Sequence, residues 1–221
     1  DEVLEGLSLV REMIAFAEES NLSDSNKELL IERLTMKEAD FLAAAREVFS
    51  TKLIVSGNDS AIIPGQSFEV TATFWNLGQE IVDKAELSLA LPEGWTTDVE
   101  SVVFESIKFN TNGQAKFNVT VAEDAAYTDA FDENPTSAVA VWDVMGKSVW
   151  TESTADVRVV PKVSVSMDPE RLMAPASSSA VTRTITVKIQ NNSKEAISGT
   201  VNLELPSGWV IVTQDTSFSL S

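Results

Sequence analysis

Apolar positions recur every three to four residues at the start of the chain and then, from Lys52 onward, alternate with polar ones. The first spacing is that of an amphipathic helix, and the second that of a strand with one face buried. Val3, Leu4, Leu7, Val10, Ile14 and Ala17 fall on one side of a predicted helix. Polar residues from Asn21 to Ser25 interrupt it, and Ser25 with Glu28 reads as a capping box. A second helix carries Leu30, Leu34, Phe41, Ala45 and Val48, with Leu29, Leu42 and Phe49 widening the stripe. The pair predicts a helical hairpin over 1–51. Such a hairpin is too small to bury its own stripe, which is expected to rest on another domain.

The texture beyond it is that of short strands between Gly, Asn, Asp and Pro turns. Leu53 to Val55 is a first strand, Pro64-Gly65 a turn, and Phe68 to Phe74 a clean alternation. Asn76 to Gly78 turn the chain, Ala85 to Leu91 place Leu87, Leu89 and Leu91 inward, and Pro92-Glu93-Gly94-Trp95 closes the strand. Further strands are predicted at 101–109, 115–121, 137–144 and 148–160. Seven such strands read as an Ig-like β-sandwich over 52–161.

The pattern then restarts. Val163 to Met167 repeats the first strand and Asp168-Pro169 opens its turn. Ile185 to Ile189 mirrors Val70 to Phe74, and Asn191-Asn192-Ser193 mirrors Asn76-Leu77-Gly78. Val201, Leu203 and Leu205 stand for Leu87, Leu89 and Leu91, and Pro206-Ser207-Gly208-Trp209 copies the earlier corner. The offset is 115 residues from Asn76 to Asn191 and 114 from Pro92 to Pro206, which marks an internal repeat. The second module, 162–221, covers only about half of its partner's strands and is expected to be incomplete. The fold class is therefore mainly β, tandem Ig-like sandwiches behind a helical hairpin. In the corner motif proline ends the strand and glycine permits the bend. The rings of Trp95 and Trp209 are expected to fold over the ends of the cores.

Composition narrows the chemistry. The 221 residues contain no histidine and no cysteine, which removes the usual ligands, bases and nucleophiles of zinc, Ser-His and Cys-His sites. Lack of cysteine fits both an exported and a cytosolic protein. The net charge of −18 argues against nucleic acid and against anionic lipid; it reads as a solvated acidic surface. No stretch is apolar enough for a membrane span, and no signal peptide is present. The chain opens on Asp1-Glu2-Val3 without an initiator Met, and is read as a piece of something longer.

The acid-rich run of Glu123, Asp124, Asp129, Asp132 and Glu133 is the place to look for calcium, which takes about six to eight oxygens. Its spacing is not that of an EF-hand, and a solvated loop is the simpler meaning. Trp75, Tyr127, Phe131, Trp142 and Trp150 could stack on sugars, against the alternative that strand aromatics fill the core. Paired carboxylates could run glycosidase chemistry, but no cleft-forming insertion is evident. Asn118-Val119-Thr120 matches a glycosylation sequon of a kind that arises often by chance. No catalytic, cofactor-binding or metal-ligating residue is assigned, and no cofactor.

Leu29-Leu30 and Lys37 through Ala45, then Leu53-Ile54-Val55, Pro64 through Val70 and Leu91 through Trp95, together resemble a segment of large exported bacterial deacetylases of the PIG-L (LmbE-like, N-acetylglucosaminyl) family. Arg158 through Val165 with Asp168-Pro169 resembles its continuation into a second β-module. The sandwiches also resemble the Ig-like module found beside carbohydrate-binding NPCBM domains related to α-galactosidases. The resemblance implies a secreted location, extracellular or periplasmic, and a catalytic domain upstream. That family's His-Pro-Asp-Asp zinc motif has no counterpart here, so no active-site residue is carried over. The expectation is a non-catalytic scaffold whose partner is another domain of the same parent; the alternatives are a carbohydrate-binding module with a glycan as its partner, or a fragment of a zinc-dependent sugar N-deacetylase whose active site lies upstream.

Overall fold

The computed structural model describes residues 2–129, 131, 132, 134–173, 181–212 and 216–221. Asp1 and Glu133 lie outside them. Two helices lead, α1 (Glu2–Glu19) and α2 (Asp24–Val48). Ten strands follow: β1 (Thr51–Gly57), β2 (Ala61–Ile62), β3 (Ser67–Asn76), β4 (Lys84–Ala90), β5 (Thr96–Thr97), β6 (Ser101–Phe104), β7 (Thr111–Thr120), β8 (Ser137–Val144), β9 (Lys147–Thr154) and β10 (Arg158–Val159). Four more, β11 (Val163–Asp168), β12 (Thr186–Asn191), β13 (Ile197–Thr200) and β14 (Ser217–Leu220), complete the described chain. The protein is mainly β.

Strands β1 to β9, leaving out β2, form two antiparallel sheets ordered β1-β3-β7-β5 and β6-β4-β8-β9. Within them the runs β1-β3-β7 and β4-β8-β9 follow the order of an immunoglobulin-type sandwich. Phe68, Val70, Ala72 and Phe74 of β3 and Ala115, Phe117 and Val119 of β7 point inward. Ala85 and Leu87 of β4 and Ala138, Ala140, Trp142 and Val144 of β8 face them. The period-two pattern buries one face of each strand and leaves the other wet. Trp142 sits at the centre, 5.8 Å from Phe74 and 6.1 Å from Phe49 between ring centroids.

Phe49, just past α2, carries the hairpin into this core. Leu4, Leu7, Leu42, Ala45 and Phe49 belong to the sandwich's own hydrophobic cluster, while Val10, Ala17 and Leu34 form a smaller one between the helices. Each fully buried large side chain contributes about 1.5–3 kcal/mol. Polar bonds finish the seam: Arg11 Nη1 donates to Ser148 O at 2.7 Å, and Arg46 Nη1 to Thr151 Oγ1 at 3.2 Å. The hairpin thus rests on the sandwich, as its uncovered stripe requires.

Several local expectations are corrected. The Ser25–Glu28 capping box does not form: Ser23 is the N-cap, with Lys27 N–H donating to Ser23 O, and Ser25 already lies in the first turn. No side chain caps this end. Leu29, Leu30 and Val48 are exposed, because α2 meets α1 and the sandwich along a face that carries Ile31, Leu34, Phe41, Leu42 and Ala45. The stretch 148–160 is two strands; the chain breaks at Ala155–Val157 and β10 crosses to pair with β2 in parallel. The stretch 101–109 ends as a strand at Phe104, and Ile107 adds a lone bridge to Val82.

The repeat is visible in hydrogen bonds. Asn76 Nδ2 donates to Glu80 O at 2.8 Å and its Oδ1 accepts from Gly78 N–H at 3.1 Å. Asn191 Nδ2 donates to Glu195 O at 2.7 Å and its Oδ1 accepts from Ser193 N–H at 3.0 Å. Both are the same Asx-type turn. The copies differ in packing. Beyond Val159 no described apolar side chain is buried, and β11-β12 and β13-β14 are separate two-stranded pairs. Residues 201–205 do not form the strand expected of them. Their counterpart β4 is held between β6 and β8, whereas β13 has a single neighbouring strand among the described residues.

Candidate functional site

Strand β4 ends at Ala90, and Pro92 to Trp95 turn through a bond from Trp95 N–H to Pro92 O at 3.2 Å. Gly94 has φ +80°, a conformation that costs glycine nothing. The turn drives Trp95 onto Phe68, edge to face at 6.3 Å, and leaves the indole 9% exposed. Trp95 therefore closes its end of the core, as expected of the corner. The Pro206–Trp209 corner reproduces the turn, with Trp209 N–H bonded to Pro206 O at 3.2 Å and Gly208 at φ +90°. Its ring stays 39% exposed, because no second sheet lies behind it among the described residues.

Facing the Trp95 corner runs the connection between β7 and β8. It is tied down by two bonds to β10, Thr128 N–H to Val159 O at 2.9 Å and Val159 N–H to Thr128 Oγ1 at 3.0 Å. Between corner and connection opens a cleft of about 630 Å³. Its walls include Glu93, Trp95, Asp124, Tyr127, Asp132 and Val159. Sequence reasoning saw no cleft-forming insertion, and the structure corrects that. The length of 121–136, well beyond an ordinary hairpin loop, is the signal that could have found it.

The described residues of the acid-rich run do not gather at one point. Asp124 lines this cleft, while Glu123 lines a smaller recess of about 360 Å³ beside Gln66, Lys162 and Glu195. Asp132 Oδ2 accepts from Asp129 N–H at 2.8 Å in a local turn. Among the described residues no group of three or more carboxylates is arranged to hold a metal.

The aromatic candidates are scattered. Trp142 is 0% exposed and offers no face to a sugar, which corrects its candidacy. Trp75 is half-buried on the outer face of the first sheet, in register with Lys52 and Asn112. Trp150 lies on the outer face of the other sheet, opposite Val141 and 41% exposed, so it is not core filling. Phe131 is fully exposed, and Tyr127 alone of the set lines the cleft, 57% exposed.

A clip behind the corner holds β5 to β7. Asp98 accepts from Asn118 Nδ2–H at 2.7 Å and from Asn118 N–H at 2.8 Å. These bonds, the side-chain one foremost, hold the Asp98 carboxyl below its ordinary 3.8. Asn118 is the sequon asparagine, so a glycan on its Nδ2 would take away a donor hydrogen of the clip. At Glu195 the hydrogen bond from Lys162 and its charge likewise lower the carboxyl.

Residues 62–132 match the NPCBM-associated, NEW3 domain of alpha-galactosidase. That domain is a non-catalytic accessory of carbohydrate-active enzymes. The match takes in β3 to β7, the Trp95 corner and most of the cleft. Solved structures with similar chains include the sporulation control protein Spo0M from Bacillus subtilis, 17% identical, with 49% of this chain and 48% of that one covered and a TM-score of 0.30. The chain thus spans about half the length of that relative. A CARDB domain from Pyrococcus furiosus, solved in complex with di-metal ions, is 11% identical, with 48% and 86% covered and a TM-score of 0.30. A cycloisomaltooligosaccharide glucanotransferase from Paenibacillus sp. is 17% identical, with 47% and 13% covered and a TM-score of 0.26. No curated protein matches the sequence. No described helix is long and apolar enough to cross a membrane.

Proposed function

We propose that this chain is a non-catalytic scaffold that fixes the position of an enzymatic domain in a larger, exported, carbohydrate-active protein. The match of 62–132 to an accessory domain carries the reading. We divide the chain into a hairpin, 1–51, a complete Ig-like sandwich, 52–161, and the first half of a second, 162–221. The hairpin supports the mechanism. One side of α1 is spent on the sandwich, yet Leu9, Met13 and Phe16 stand exposed along another side, about one turn apart. An apolar stripe of this kind marks an interaction surface, and the parent's enzymatic domain is its proposed occupant. Burying it at roughly 25 cal/mol per Å² would hold two domains in one orientation.

The proposed parent is a PIG-L-type sugar N-deacetylase acting outside the cytoplasm; the support is the resemblance of 29–45, 53–55, 64–70 and 91–95 to that family. Reading the adjoining coding sequence tests it, since a His-Pro-Asp-Asp motif is expected upstream, and a different enzymatic domain there would replace this parent. In the full-length protein, Phe16→Asp should raise protease sensitivity at the junction with the enzymatic domain while leaving the melting temperature of the isolated 221-residue chain unchanged. Hydrolysis of a sugar amide by the isolated chain would overturn the scaffold reading.

A further inference from the structure

We propose that the cleft between the Pro92–Trp95 corner and the described residues after β7, from Ala122 to Thr128 with Asp132 and Pro135, binds a sugar bearing a protonated amine. Its volume of about 630 Å³ lies within the range of small-molecule sites. Both walls are fixed in advance. Trp95 is locked against Phe68 at 6.3 Å, and the opposite wall is held by the paired Thr128–Val159 bonds and by Ala125 N–H to Ala122 O at 3.2 Å. The Tyr127 ring, exposed at the cleft, offers a flat face to the C–H side of a pyranose and to a neighbouring cation.

The cavity and its aromatic wall make the site; charge selects what enters. Glu93, Asp124 and Asp132 line it, and among the described residues no Lys or Arg does. None of the three takes part in an ion pair among the described residues. The chain's −18 charge deepens that potential. Uronic acids and phosphosugars are repelled, while an ammonium group on a sugar ring meets carboxylates without having to displace a resident cation. A divalent ion is disfavoured, since no three carboxylates converge among the described residues. Choosing a sugar over a lysine-rich peptide rests on the carbohydrate-active context proposed above.

The test is calorimetric titration of the 221-residue chain, in mildly acidic buffer, with a glucosamine oligomer, its fully N-acetylated counterpart and an oligolysine of equal length. Saturable binding of the glucosamine oligomer is expected, about tenfold or more tighter than either other probe and weakening with salt. Tyr127→Ala and Asp124→Asn, both at the cleft surface, should each weaken it about tenfold without lowering the melting temperature. No binding of the glucosamine oligomer overturns the proposal, as does equal binding of the acetylated oligomer, tighter binding of oligolysine, or indifference to Tyr127→Ala. None of these outcomes touches the scaffold reading, which is decided on the full-length parent.

Discussion

Asn76 shows how one side chain can organise a connection that sequence marks only as a turn. It is 1% exposed, and besides closing its own Asx turn it donates from Nδ2 to Ile107 O at 2.8 Å. Three bonds go with that side chain, each worth about 1 kcal/mol, while the Ile107 carbonyl keeps its bond from Val82 N–H. Asn76→Ala is therefore expected to destabilise the sandwich by about 2–4 kcal/mol in chemical denaturation. Asn191→Ala, at the equivalent and wetter position, should cost well under half of that; equal costs would show that burial is not the cause. Asp98 offers a second test. Its carboxyl is depressed in the folded state, so it adds stability above its ordinary 3.8, and that stability is lost as pH falls through the folded value. Urea midpoints of wild type and Asp98→Asn should differ by a constant amount near neutrality and converge in acid below about 3.8. A gap that persists in acid would show that ionisation is not what makes the clip.

At the scale of elements, what was legible was whatever depends on nearest neighbours. The alternation from Phe68 to Phe74 is a property of one strand, and all four apolar positions of that run are buried. Ser25 failed as a cap because several polar residues between Asn21 and Ser25 could each begin a helix, and only the path of the chain from α1 selects Ser23. Leu29 and Leu30 looked like core because a helical stripe does not say how wide its partner is. The cleft was invisible for a related reason, since it exists only where the Trp95 corner and the 121–136 connection meet in space. The hairpin's dependence on the sandwich can be measured. Phe49→Ala removes the ring that bridges α2 to Trp142 and is expected to cost about 3–5 kcal/mol. Amide exchange should then speed up in α1, α2, β1 and β9 before it does in β7. Uniform acceleration throughout the sandwich would mean the hairpin is not a separable layer.

At the scale of the whole molecule, two copies of one sequence pattern meet very different fates. The first copy owns two facing sheets; the second, among the described residues, owns two hairpin-like pairs, with Val165 and Met167 of β11 and Trp209 of the corner exposed. Identical turns at Asn76 and Asn191, and at Gly94 and Gly208, show that local grammar survives without a core to support it. Stability should not survive in the same way, because protection against exchange follows buried apolar contact. Amides of β11 to β14 are expected to exchange at least tenfold faster than those of β3, β4, β7 and β8. Among the described residues the copies are modestly tied, chiefly by Asn192 Nδ2 to Pro161 O at 2.8 Å. Removing 162–221 should accordingly shift the melting temperature of the remainder by no more than the roughly 2–4 °C that 1 kcal/mol produces in a domain of this size. A larger fall would show that the second copy braces the first, and that the scaffold is one unit of force transmission instead of a rigid sandwich with an open half attached.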